Sequence, residues 1–347
     1  MKEIIVREDR DSWSREIVSS GDFAYEMVPD FCRYPGPEWE YQTVASGFCD
    51  KDDNVYLLIR DSRHEIGVFD SEGNYIRDIN SGLVSSAHFG AETPDGNIIV
   101  ADPNRHVCIE MDKQGHHIRT FGTPGKASDS GMDMGALMRE RRHGVIITGE
   151  LPRLNSLQFV GWLEAHKRIT RCAEPFNQPT AITFNSEGNY IFADGYGNCA
   201  VHTFDKDGTL KSTWGEPIHD ENGVRHPGPG RFFIVHDVQT DPLDRVWALD
   251  REMNAVHVFN PDGSIAAYIH GTLGSPSGAW CDGTYMYVGG CCGYISIFNM
   301  DIEPVAHLGF FNSDLRVHGL AGNSKGDLFM FATHASPDHQ CFKLKRL

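Results

Sequence analysis

The sequence predicts an all-β chain folded as a six-bladed β-propeller, on three observations. A tight turn followed by an apolar strand recurs six times, at Asp52-Asp53-Asn54-Val55, Asp95-Gly96-Asn97-Ile98, Glu187-Gly188-Asn189-Tyr190, Asp244-Arg245-Val246-Trp247, Asp282-Gly283-Thr284-Tyr285 and Lys325-Gly326-Asp327-Leu328. Most units continue into a third strand and a second turn, as in Ile66-Gly67-Val68-Phe69-Asp70-Ser71-Glu72-Gly73. Where nothing is inserted, the period is about 40 residues, the length of one four-stranded blade. A chain of 347 residues is also longer than one compact core serves, which favours a repeat architecture.

Taken in order, the elements fill one domain over 1–347. Phe23-Ala24-Tyr25-Glu26-Met27-Val28 alternates apolar and polar residues. The stretch Phe23 to Phe31 is expected to supply the outer strand of the last blade, closing the ring and removing an exposed sheet edge. Units one and two follow, then an insertion at about 123–175 that does not read as a blade. Within it, Met138-Arg139-Glu140-Arg141-Arg142-His143 is a charged run, and residues 156–169 have the pattern of an amphipathic helix. This insertion is a solvated surface excursion, a lid over the site, or a contact between copies in a homo-oligomer. Units three to six complete the ring.

Composition narrows the function. With 31 basic and 48 acidic residues the net charge is −17, against nucleic-acid or anionic-membrane partners. The N-terminus is too charged for a signal peptide and no apolar run approaches a membrane span. Nine cysteines, including adjacent Cys291 and Cys292, suit a reduced cytoplasmic protein better than a disulfide framework, and no CxxC pairs suggest a thiolate metal site. Cys291 reads as a buried small residue.

The chemistry lies in a register. His88 stands eight residues before Gly96, His236 eight before Asp244 and His318 eight before Gly326. These are units two, four and six. Alternate blades of a six-fold ring are related by three-fold rotation, so the imidazoles should converge on the axis at one mouth. Three neutral ring nitrogens with an open position form the ligand set of a catalytic zinc or another divalent transition metal. Units one, three and five carry Ala45, Thr180 and the Ser277-Gly278 region there, leaving room for a small-molecule substrate. The next strand returns to the same mouth. Arg60 lies six residues after Asn54, Arg251 six after Arg245, and Tyr196 one position further along in its own unit. The arginines could instead pair with acids ending these strands, such as Asp61 and Asp250. Beside a cation and guanidiniums, a phenol can serve as general base.

The runs Asn177-Gln178-Pro179-Thr180-Ala181-Ile182, Ala193-Asp194-Gly195-Tyr196-Gly197-Asn198, Lys211-Ser212-Thr213-Trp214-Gly215, Val235-His236 and Leu249-Asp250-Arg251-Glu252 resemble the NHL-repeat propeller of the peptidyl-α-hydroxyglycine α-amidating lyases. The resemblance covers the blades from about residue 41 onward and is strongest over 177–263. It implies zinc on His88, His236 and His318, Tyr196 as base, and Arg60 and Arg251 on the substrate, in a lyase cleaving the C–N bond of a carbinolamide. The family also has an acidic residue after the third histidine that helps hold a structural calcium; here Gly319 stands there, so the calcium lacks that ligand. Arg316 replaces a methionine and implies a more anionic substrate, which Arg60, Arg251 and Arg316 would hold by its carboxylate. A lactonase-like metal-dependent hydrolase and a non-catalytic NHL-repeat interaction platform are the competing readings.

Overall fold

The computed structural model describes residues 1–6, 17–28, 31–33, 36, 43–61, 64–132, 165–332 and 341–347. Six antiparallel sheets stand around one axis. Blade one comprises Val44–Cys49, Val55–Asp61, His64–Phe69 and Tyr75–Ile79. Blade two comprises Gly90–Glu92, Ile98–Asp102, Val107–Met111 and His117–Phe121, and blade three Ala181–Phe184, Tyr190–Asp194, Ala200–Phe204 and Leu210–Trp214. In blade four Val235–Thr240, Val246–Asp250, Ala255–Phe259 and Ile265–Gly271 are joined on the outside by Lys2–Val6, which pairs in parallel. Blade five is Pro276–Cys281, Tyr285–Gly290, Tyr294–Asn299 and Pro304–Gly309. Blade six takes Gly319–Gly322, Leu328–Phe331 and Cys341–Arg346 from the end of the chain and Phe23–Val28 and Ile17–Ser20 from its start.

The predicted closure is therefore present: Arg346 faces Tyr25 and Lys343 faces Val28 in antiparallel register. The parallel strand Lys2–Val6 on blade four was not foreseen.

Both faces of the blades are buried, which is why second strands such as Ile98-Ile99-Val100-Ala101 run apolar without alternation. Six of the apolar clusters each fill one interface between neighbouring blades, blade six against blade one included. At the turns an Asp or Asn side chain accepts two later backbone amides, as Asp50 Oδ1 does from Asp52 (3.0 Å) and Asn54 (2.9 Å). The left-handed residue that ends such a turn is usually Gly, but Asp53 (φ 62°) and Asp244 (φ 56°) take it in blades one and four. Their carboxylates then reach the preceding blade, Asp53 to Ser324 and Asp244 to Ser186.

The helix expected over 156–169 falls mostly outside the described residues, so the partly helical insertion is not supported. Its described end begins helical at 165–166 and closes with the N–H groups of Arg168 and Ile169 donating to Ala165 O and His166 O. A 3₁₀ turn, Pro103–Arg105, links the second and third strands of blade two.

Candidate metal centre

The innermost strand of each blade begins at the axis. His88, His236 and His318 all lie there, each almost fully buried. Each ring is tied by its Nδ1 to the backbone carbonyl at the matching position of the next blade: His88 to Thr180 at 2.7 Å, His236 to Ser277 at 2.7 Å and His318 to Ala45 at 2.6 Å. A carbonyl only accepts, so each Nδ1 carries the proton and each Nε2 keeps its lone pair for the axis. The rings stand nearly perpendicular to one another, 77–90° apart, with centroids 4.8–5.3 Å apart. One ligand nitrogen from each lies within 4.8 Å of the others. Burial, reinforced by Arg251 and other cationic neighbours, holds all three imidazoles well below their ordinary pKa. They are neutral at pH 7, which is the form that binds metal. Donor type, tautomer, convergence and charge therefore fit a divalent ion, and the triad could hold one.

Tyr196 spans the triad. Its hydroxyl lies 2.9 Å from His88 Nε2 and 3.0 Å from His236 Nε2, and Arg251 Nη1 donates to it at 3.3 Å. Arg60 lies beside Tyr196, and burial, the larger influence, lowers the Arg60 pKa. Register brings these groups together: the backbone N–H of Arg60 donates to Thr43 O, of Arg251 to Ile234 O and of Tyr196 to Gln178 O, each acceptor two residues before the axial position. Tyr196 sits one residue further along in its unit, beyond the strand end at Asp194, and Gly195 absorbs the extra residue. A Cβ on Gly195 would lie 2.0 Å from Val235 O.

Arg251 does not pair with Asp250. Its guanidinium is held by Glu252, Nε and Nη2 each 2.8 Å from Oε1. Burial disfavours the Arg251 charge, but Tyr196 and Glu252 outweigh it and raise its pKa. Asp250 instead accepts the amides of Phe233 (2.8 Å) and Ile234 (3.0 Å), fixing the segment that leads into His236. Asp194 does the same for Asn177 ahead of Thr180, and Asp102 for Ser85 ahead of His88. Arg316 is exposed and donates to Asn312 Oδ1 at 2.9 Å; no hydrogen bond or ion pair joins it to the triad among the described residues.

Three residues of the site escaped sequence reasoning. Cys291, read there as a buried small residue, is only partly buried; it donates its N–H to Ser275 O, the same register position as Arg60, Arg251 and Tyr196, and its thiol lies beside Ser277. Phe89 packs against the rings of His236 and His318 at 5.4 and 5.8 Å, directly beneath the triad. Asp237 follows the second histidine rather than the third, and its carboxylate accepts from Val238 and Ala279, both at 2.8 Å. Matching the position after each histidine across blades two, four and six would have found the last two. On the far side of Phe89 the inner strands enclose a channel of ≈ 440 Å³.

All nine cysteines are free thiols, and no helix among the described residues is long and apolar enough to cross a membrane.

No family model matches the chain. It is 26% identical over 235 residues, 64% of its length, to NHL repeat-containing protein 3 of Mus musculus, and the match spans 54% of that protein, about half. Among solved structures it resembles a streptogramin B lyase (TM-score 0.55, 10% identity, 93% of this chain and 98% of that one). It also resembles a gluconolactonase of Xanthomonas campestris (TM-score 0.55, 11% identity, 93% and 90%). A third likeness is a catalytically inactive virginiamycin B lyase of Staphylococcus aureus with quinupristin (TM-score 0.54, 10% identity, 94% and 100%). At such identities the structural likenesses establish the fold. The chain is a six-bladed β-propeller with an NHL-repeat protein as its relative in sequence, in a fold whose neighbours include lyases and a lactonase.

Proposed function

We propose that the protein is a metal-dependent lyase cleaving the C–N bond of a small, carboxylate-bearing carbinolamide. One observation carries this reading: three neutral Nε2 atoms face one point while a phenol hydroxyl touches two of them and a guanidinium. An ion of the zinc type held by His88, His236 and His318 would supply Lewis acidity toward a substrate oxygen. The protein's own groups do the rest. Arg60 and Arg251 orient the substrate carboxylate, and their guanidiniums place positive charge beside the phenol oxygen. Tyr196 Oη takes the proton of the substrate hydroxyl. The O–H electrons become the new C=O bond, the C–N pair leaves with nitrogen, and nitrogen takes up a proton. An N-acyl-α-hydroxyglycine would give a carboxamide and glyoxylate.

The test is to supply the metal-loaded protein with such a compound and measure glyoxylate. Expected are glyoxylate and amide in equal amounts, and loss of both metal and turnover in His236→Ala. Turnover by a metal-free His236→Ala variant would end the reading. Solvent ¹⁸O in a product carboxylate would mark hydrolysis instead, the alternative favoured by the gluconolactonase neighbour.

A further inference from the structure

We infer that Ser130, on the first stem of the segment between blades two and three, is a positioning residue for Tyr196; the kinetic arm of its test rests on the lyase reading and the Co²⁺ arm on the metal triad, while hydrogen exchange rests on neither. Tyr196 has no strand of its own to hold it, because Tyr190–Asp194 ends two residues earlier. The chain just beyond it is clamped from above. The Ser130 hydroxyl donates to Gly197 O at 2.5 Å. Ser130 Oγ in turn accepts from Asn177 Nδ2 at 3.2 Å, and Asn177 Nδ2 also reaches Ser128 O at 3.2 Å. The Asn177 backbone amide is itself bound by Asp194. Ser130 and Asn177 are both almost fully buried, so no water competes for these bonds.

The contact leaves no slack. A Cβ on Gly197 would lie 2.3 Å from Asn177 Oδ1, so the chain after Tyr196 presses directly on the Asn177 side-chain amide. The two stems are themselves joined, Thr170 N donating to Ser130 O at 3.1 Å, and Met132, Ala165 and Ile169 are packed into the core between blades three and four. The segment therefore reaches the site through its stems: Ser130 fixes Gly197 O, one residue beyond the phenol that touches His88 and His236. Placement of a reacting group within a few tenths of an ångström is what such a contact secures.

The stem carries its own control. Ser128 is two residues away, and its Oγ is buried with no hydrogen-bond partner among the described residues. Ser130→Ala and Ser128→Ala each delete one hydroxyl from the same stem, so a general loosening would affect both. Three measurements are made on the full chain: amide hydrogen exchange over 195–199, the visible spectrum with Co²⁺ as the added metal, and glyoxylate release from an N-acyl-α-hydroxyglycine. For Ser130→Ala the expected results are exchange at least 10-fold faster over 195–199, with blade strands unchanged, and a Co²⁺ spectrum altered in the direction of Tyr196→Phe. Its kcat should fall at least 10-fold with KM within about twofold, since binding by Arg60 and Arg251 is untouched. Ser128→Ala should match the unmodified protein throughout. If Ser130→Ala does not fold, Ser130→Cys, similar in size but a weaker donor, is read the same way. Exchange and spectrum in the Ser130 variant equal to those of Ser128→Ala would overturn the inference. If the unmodified protein releases no glyoxylate, the lyase reading fails alone, and hydrogen exchange still decides the role of Ser130.

Discussion

A histidine is made ready for metal here by what its second nitrogen does. Because Nδ1 of His88, His236 and His318 each meets a carbonyl of the following blade, the triad is oriented by backbone rather than by side chains. No point substitution at Thr180, Ser277 or Ala45 removes those acceptors; only replacing the histidines does. A consequence concerns pH. Protons and metal compete for the same Nε2, and burial lowers the imidazole pKa values below the ordinary 6.5. Metal affinity should therefore stay level from pH 8 down to 6.5 and fall only in more acid solution, toward the lowered values. Equilibrium dialysis across that range checks it; a tenfold loss of affinity already between pH 8 and 7 would contradict the buried, neutral triad. Tyr196→Phe separates base from ligand: bound metal should stay at one ion per chain while kcat falls about 10²–10⁴-fold, the usual size of a lost general base. The triad and the returning Arg60, Arg251 and Tyr196 were legible because turn and strand units count residues from a fixed point. Cys291 was not, since a cysteine in a glycine-rich turn carries no signal until its amide is seen donating to Ser275 O.

At the scale of the element, the acids that end second strands prove to be structural rather than ionic. Sequence alone offers Asp250 as a partner for Arg251, because the two are adjacent and opposite in charge. The strand alternates its side chains, however, so the neighbours point apart, and Asp250 turns toward the backbone of 233–234. Asp102, Asp194 and Asp250 thus set where each inner strand starts, and through it the axial residue two or three positions on. Asp250→Ala leaves two buried amides without acceptors, each costing about 1–3 kcal/mol. Its thermal midpoint should drop clearly, whereas exposed Arg316→Ala should leave it within a degree or so. Calorimetry of the two variants compares them directly; equal midpoints would show that the carboxylate does not anchor the strand. The insertion was readable only as a break in the repeat, because its link to the site runs through hydrogen bonds of Ser130 and Asn177 rather than through a pattern of residue types.

For the whole molecule, the metal and the ring depend on each other. The ligands come from blades two, four and six, and the inner strands touch in a closed circle, so the triad is complete only when blade six has closed. Alternation in Phe23–Val28 made that closure legible, while Lys2–Val6 has no such pattern and its parallel pairing with Ile265–Gly271 depends on where the chain passes in space. The two N-terminal strands consequently predict different outcomes. Tyr25 is fully buried beside Arg346, whose Nη1 donates to its hydroxyl at 2.9 Å. Tyr25→Ala should cost about 3–5 kcal/mol by opening a cavity in the seam. Removing residues 1–6 trims only the outer edge of blade four and should cost far less. An ion that binds the closed ring and not the unfolded chain adds about 2.7 kcal/mol when present at a hundred times its Kd. The unmodified protein and the 1–6 deletion should both show that increment as a raised Tm on adding Zn²⁺. A deletion of residues 1–28 should show little of it, since His318 then sits on a blade missing its outer strands. Equal Zn²⁺-dependent shifts in all three proteins would mean that the triad forms without ring closure, and that the blades are less coupled than their shared axis implies.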